Sequence, residues 1–306
     1  MPKILRDIDK KTILGTLLVF IGTLFGTTGQ TFIKISSSQI NPIHAIFWRS
    51  ITGFIILFFI YIKNRPIKSF NLDIIKDKNN LKWYIMRGLI STLSALTLFV
   101  AIAKADISEI GTLSNINPIF TVFIAYFLLK EKLSTKILLT TLLGITGVFL
   151  IRNPFVIGFE TAHLLVLFSA SLIAFDLVLL RKLNILNFHY ILIIAIMLIT
   201  GFIFTLPIVL SEITDYTPYY FILIFSAGTF DLITQIFFTK AARYISSGSI
   251  SMIALISVFE FMIWGSLIFN ESVTNINILG GLLIIISAGI IIYLKNKDNK
   301  ILKGAD

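Results

Sequence analysis

The sequence contains no cysteine, which excludes disulfide frameworks, iron–sulfur clusters, cysteine-ligated zinc and thiol catalysis together. Histidine is nearly as scarce. His44, His163 and His189 are scattered, with no H-E-x-x-H or other metal-ligand spacing. No G-x-x-x-x-G-K-[ST] loop and no G-x-S-x-G turn occurs, so P-loop nucleotide hydrolysis and a hydrolase elbow are both absent. Charge is short as well: only 14% of the residues carry it, against about 25% in soluble globular proteins. The longest polar stretch, 63–82, has about 20 residues, too few to bury the core of a separate soluble domain.

Apolar sequence fills the space. Hydrophobic residues make up 56% of the chain, and the mean hydropathy is +0.92. A bilayer accepts apolar surface all round a helix, so this composition predicts a membrane protein. Ten apolar runs, each long enough to cross the hydrocarbon, lie near 13–34, 43–62, 83–103, 107–129, 134–151, 162–181, 188–210, 219–240, 246–268 and 274–294. They are continuously apolar and lack two-residue alternation, which predicts helices rather than barrel strands. The basic N-terminal segment (Lys3, Arg6, Lys10, Lys11) precedes a run long enough to span, with no A-x-A site after it. An uncleaved first helix is therefore expected.

The net charge of +10 is sorted along the chain. With the N-terminus inside, the inner segments hold 21 lysines and arginines, and the outer ones only Lys34, Lys104 and Arg152. Arg49 and Arg87 lie within runs. This asymmetry predicts both termini in the cytoplasm and an even helix number. The expected location is the bacterial inner membrane, since Ile-, Asn- and Lys-rich usage suits an AT-rich bacterial genome. The asymmetry also accounts for the positive charge without a nucleic-acid partner.

An internal repeat is visible. KEKL (130–133) closes the fourth run and NESV (270–273) the ninth, which places Glu131 and Glu271 140 residues apart. At the same offset Gly88 falls on Gly228 and Ser94 on Thr234, while Phe99–Ala103 and Phe238–Ala242 match one residue out of step. Five spans per half is an odd number, so the second half enters from the opposite side. The predicted fold class is an all-α polytopic membrane protein, with ten transmembrane helices as two inverted five-helix repeats, 1–152 and 153–306.

The stretch Ala103–Gly147, AKADISEIGTLSNINPIFTVFIAYFLLKEKLSTKILLTTLLGITG, resembles the third-to-fifth-helix signature of EamA-type carriers in the drug/metabolite transporter (DMT) superfamily. The matching features are Ala103 and Ala105 after the third helix, Pro118 midway in the fourth, Glu131 ahead of the fifth, and Gly144 with Gly147 inside it. Asn41-Pro42 followed by FWRS resembles the family's second helix, with its arginine at Arg49. The second half departs from the pattern: Val258 stands where a proline would echo Pro118, and Ser287 where a glycine would echo Gly147. The resemblance implies helices one to four and six to nine around a central cavity, with helices five and ten further out.

Candidate site residues are the polar groups inside apolar runs. Asp176, Asp231 and Glu260 sit well within predicted spans, where a central charge costs roughly 2.5–3.5 kcal/mol unless it faces protein or water. Asp231, Thr234 and Gln235 share one helix face, and Ser257, Glu260, Phe261 and Trp264 repeat that stripe on the ninth run. The two stripes are expected to line the cavity, with Asp231 or Glu260 binding a cationic group or a coupling proton. The competing reading is a carboxylate paired with a neighbouring base or protonated and silent. Asp176 lies nearer the cytoplasmic end, where Arg181 is a possible partner.

In the fourth run Pro118 frees the carbonyl of Ser114, and Asn115 and Asn117 stand beside it as candidate ligands of a polar substrate. An asparagine bonded to the next helix is an equal alternative. Arg49 is a candidate for an anionic group. Arg87 shares that alternative, but its place four residues after Trp83 favours the inner interface. Gly22, Gly26 and Gly29 line one side of the first run with Gln30. Their spacing suits close helix contact, and Gln30, Pro118 and Asp176 are candidate gating or coupling positions.

The expected function is a secondary carrier of a small organic metabolite, an amino acid or derivative first. The resemblance also admits S-adenosylmethionine-like, nucleotide-like or riboflavin-like cargo. No cofactor is called for. The expected partners are the bilayer, the substrate and a candidate proton, in a monomer or homodimer. A membrane-embedded enzyme using the carboxylates as acid and base is the alternative, and it lacks a nucleophile or metal constellation.

Overall fold

The computed structural model describes residues 10–63, 78–104, 106–130, 135–151, 161–186, 190–212 and 217–270, with parts of 272–294. Glu131, Glu271 and the expected seam at 152–161 lie outside the described residues. The described chain is helical, and no strand occurs among the described residues. The elements are α1 (Lys10–Ser36), α2 (His44–Lys63), α3 (Lys78–Lys104), α4 (Ile107–Ser114), α5 (Asn117–Leu129) and α6 (Thr135–Ile151). They continue with α7 (Thr161–Ile185), α8 (Tyr190–Ser211), α9 (Pro218–Ala241), α10 (Ser247–Ile253), a 3-10 turn at Ala254–Ile256, and α11 (Ser257–Phe269).

Six stretches among the described residues are long and apolar enough to cross a membrane: α1, 81–104 of α3, α7, α8, α9 and Ser247–Phe269. Shorter apolar helices cover 44–59, 117–129 and 138–147. Helices satisfy every backbone donor within the segment, which hydrocarbon demands. The outer faces carry large apolar side chains such as Phe127, Leu267 and Phe59, as a lipid-facing surface requires. This is a multi-pass membrane protein.

The fourth apolar run is broken in two. Ile116 caps α5 without a side-chain hydrogen bond, and Pro118 occupies the first turn, where its missing N–H costs nothing. The carbonyl that proline frees, Ser114 O, accepts a hydrogen bond from Asn117 Nδ2 at 3.0 Å. The ninth run breaks too, at the 3-10 turn between α10 and α11, although Val258 stands there in place of a proline. α5 and α11 end alike. Lys130 (φ 54°) and Asn270 (φ 55°) adopt left-handed caps, their N–H groups bonding Ala125 O and Gly265 O.

Packing runs between the two parts of the chain. α1 lies along α9, α3 along α7, α2 against α9 and α8, and α8 against α3. α11 packs on α1 and α4, and α7 on α4 and α5. Two close approaches explain the glycines. A Cβ at Gly22 would sit 2.9 Å from the Phe238 ring, and one at Gly228 would sit 2.5 Å from Ala45 O and 2.6 Å from Arg49 N. Thr234 Oγ1 donates to Gly22 O at 3.0 Å across the α1–α9 contact. α6 meets the last apolar run where Ser287 Oγ donates to Thr140 O at 2.7 Å.

Candidate functional site

Four charged side chains from four helices meet inside the bundle. α2 contributes Arg49, α3 Arg87, α7 Asp176 and α9 Asp231, with Gln235 one turn after Asp231 on the same face. Arg49 Nη1 donates to Asp231 Oδ2 at 2.7 Å. Arg87 Nε lies 3.0 Å from Asp176 Oδ1, and its Nη2 donates to Asp176 Oδ2 at 3.2 Å and Gln235 Oε1 at 2.9 Å. Arg87 Nη1 reaches Met197 Sδ at 3.3 Å. The pairs are near enough that Arg49 and Asp231 also act electrostatically on Asp176. Two cations against two anions leave the cluster neutral, which is what makes these charges tolerable in apolar helices.

The two pairs are not equivalent. Both Nη groups of Arg87 donate, to Met197, Asp176 and Gln235, while its Nε faces Asp176 Oδ1 as an ion pair without a hydrogen bond among the described residues. Arg49 is just as buried, at 0% exposure, but its Nε and Nη2 have no hydrogen-bond partner among the described residues. Its partner Asp231 keeps 19% of its side chain exposed. On the preceding residue, Trp48 Nε1 is also buried without a partner among the described residues, its ring packed on Phe47, Phe221 and Phe225. Gly201 lets α8 pack closely against Arg49: a Cβ there would lie 3.3 Å from Nη2 and 3.1 Å from Ser50 Oγ. The Arg49–Asp231 pair is therefore less completely satisfied than the Arg87–Asp176 pair.

Glu260 stands apart. It is 6% exposed, and its carboxylate accepts hydrogen bonds from Thr23 Oγ1 at 2.9 Å and Thr27 Oγ1 at 3.1 Å, both on α1. No basic side chain pairs with it among the described residues. α1 thus presents two faces. Gly22, Gly26 and Gly29 meet α9, while Thr23 and Thr27 meet Glu260 on α11.

The structure brings together Arg49, Asp176, Asp231 and Gln235 of the predicted residues. It does not join Glu260 to them. Arg87, expected at the interface, is instead fully buried, because Asp176 in the middle of α7 needs a cation and α3 lies alongside. Asp176 pairs with Arg87 where Arg181 was expected; Arg181 Nη1 donates to Ala242 O. The Asn115 side chain is spent structurally, with Nδ2 donating to Gly111 O and Oδ1 accepting from Ser257 at 3.2 Å. Asn117 closes the proline break, though its Oδ1 is buried without a partner among the described residues. Gln30 is half-buried on α1. Arg49 and Arg87 both lie within apolar runs, as do three deep acids, and that coincidence could have marked Arg87 as a partner. The i, i+4 threonines of α1 offered a weaker signal.

The sequence profile of the EamA-like transporter family fits this chain twice, over residues 8–153 and 160–293. The chain belongs to the EamA-like transporter family. Among its relatives is an uncharacterized transporter of Helicobacter pylori, 32% identical over 146 residues, 47% of either chain. The chain thus spans about half the length of that relative. Human Solute carrier family 35 member G1 is 27% identical over 90% of this chain and 77% of its own. The Pseudopaline exporter CntI of Pseudomonas aeruginosa is 22% identical over 89% of this chain and 94% of its own. A crystal structure that is 13% identical superposes with a TM-score of 0.65 over 90% of this chain and 96% of that one, and so shares the fold. Among the described residues no group of three or more metal-ligating side chains occurs.

Proposed function

We propose that this EamA-family chain is a secondary active transporter of the bacterial inner membrane, moving a small organic metabolite on a gradient or by exchange. An amino acid or amino-acid derivative is the favoured cargo. The observation that carries this reading is the half-satisfied Arg49–Asp231 pair, a buried guanidinium with two spare donors beside a partly exposed carboxylate. A zwitterion supplies the matching groups, a carboxylate for Arg49 and an ammonium for Asp231. The amino-acid end of an S-adenosylmethionine-like molecule would fit equally. Arg87, Asp176 and Gln235 would hold the floor of the site rather than touch cargo.

The proposed architecture is ten helices as inverted halves, 1–152 and 153–306, with both termini cytoplasmic. Three features spaced 140 residues apart support it. Lys130 and Asn270 share the left-handed cap. The break at 115–116 corresponds to the 3-10 turn at Ala254–Ile256. Gly88 and Gly228 each sit at a tight helix crossing, the first with a Cβ position 2.8 Å from Thr200 Oγ1. The pairing of α1 with α9 and of α3 with α7 is what two halves exchanging partners would produce.

The test is counterflow in proteoliposomes of the purified full chain, screened against amino acids and their derivatives. Wild type is expected to exchange at least one zwitterion, and Asp231→Asn and Arg49→Lys to lose it. Turnover of a lipid or peptide with no metabolite flux would replace the carrier with an enzyme.

A further inference from the structure

Glu260 is the one buried acid of the three whose charge no arginine answers among the described residues. Its surroundings are otherwise specific. Thr23 and Thr27, one turn apart on α1, each aim a hydroxyl at a different carboxylate oxygen. Each hydroxyl also lies within reach of a second acceptor on its own helix: Thr23 Oγ1 is 2.8 Å from Phe20 O, and Thr27 Oγ1 is 3.3 Å from Leu24 O. A threonine has a single hydroxyl proton. Two protons are therefore shared among four acceptors, and the occupancy depends on the state of the acid.

With Glu260 ionised, both hydroxyls donate to the carboxylate, and the two backbone carbonyls keep their helical bonds. With Glu260 protonated, its new O–H donates to one threonine oxygen, and that threonine turns its own proton to the carbonyl three residues back, a bond threonine makes readily in helices. Every donor is satisfied in either state, and the exchange needs one hydroxyl rotation with no movement of the helices. Asp176 and Asp231 lack this property, because a proton on either would uncover a buried guanidinium.

We propose that Glu260, with Thr23 and Thr27, forms a proton-binding site separate from the cargo site, coupling transport to the proton gradient. This rests on the carrier reading above. The surrounding elements carry little that competes. α1 has no ionisable residue between Lys11 and Lys34, the 3-10 turn has none, and Glu260 is the only one on α11. On α4 the single ionisable residue is Glu109, whose side chain lies outside the described residues. The last apolar run, which brings Gly281 against Phe259, has none from 274 to 290. α1 also links the sites mechanically, since the helix that grips Glu260 packs its glycine face on α9, which bears Asp231. The proton enters and leaves as H+ from water, and no other bond is made or broken.

The experiment reads protonation on the protein itself. Infrared difference spectra of the purified full chain in lipid, between acid and alkaline pH, report the C=O stretch of a protonated carboxylic acid. A band is expected that Glu260→Gln removes, Asp231→Asn retains, and Thr23→Val and Thr27→Val each shift. The valine variants guard against misfolding, and thermal unfolding of each variant is measured alongside. A band that survives Glu260→Gln overturns the assignment, as does one that sodium abolishes at constant pH, which would mark a sodium site. Because the spectrum needs no cargo, it can fail while counterflow is found and stand while counterflow is absent. The two readings are refuted separately.

Discussion

Asp176 and Glu260 are both carboxylates buried in apolar helices, but one is held by charge and the other by hydroxyls. Asp176 faces an arginine that also holds Gln235. Glu260 faces two threonines and no cation among the described residues. The difference teaches what each acid can do. A carboxylate locked to a buried guanidinium is a structural tie, costly to alter in either partner. One held only by neutral donors can change its charge without stranding a neighbour. The Arg49–Asp231 pair lies between these extremes, paired yet with spare donors and some exposure.

The sharpest break of that contrast is Arg87→Met. Removing one partner of a buried pair costs about 3–5 kcal/mol, so the variant should melt far below wild type in detergent. Arg87→Met/Asp176→Leu should recover much of the loss. If the single variant melts like wild type, the pair is no tie and the contrast falls.

The next largest effect belongs to the cargo site. Asp231→Asn should abolish zwitterion counterflow while lowering stability less than Arg87→Met does. The exchange Arg49→Asp/Asp231→Arg should restore expression and melting without restoring transport. Recovered transport would show that the pair's orientation does not matter, against a directional site.

Glu260→Gln tests the other side of the comparison. The amide still accepts from one threonine, so the change should cost about 1 kcal/mol, the net worth of a hydrogen bond. A loss as large as that of Arg87→Met would make Glu260 structural. Exchange should continue, and accumulation driven by a pH gradient should stop.

Two smaller changes probe the paired helix breaks. Asn117→Ala strips Ser114 O of its donor and should cost about 1–3 kcal/mol in thermal unfolding. Val258→Pro places a proline where Pro118 stands in the other half, in the first turn of α11. It should cost well under the ~3 kcal/mol of a proline in a helix interior. A full interior penalty would mean that the two breaks differ in kind.

Much of the framework was readable in advance. The apolar runs anticipate the helices because hydrocarbon leaves no alternative backbone state, and Pro118 marks the α4–α5 break. The break between α10 and α11 was hidden, since no proline signals it and Val258 argues against it. The acids and Arg49 stood out as charges in apolar runs. Their pairing did not, because helix adjacency across the two parts of the chain decides it. By sequence Trp83 places Arg87 near the interface, whereas the contact of α3 with α7 draws it inward to Asp176.

What the sequence determined by itself is a helical membrane protein of the EamA-like family, with a few charges that must find partners. Composition and run length suffice for that, since burial in lipid is a property of each segment alone. Only the tertiary structure decided which acid meets which base. It set two arginines against Asp231 and Asp176 and left Glu260 to Thr23 and Thr27. Those choices depend on distances of a few ångströms between helices far apart in the chain, and no local pattern encodes them.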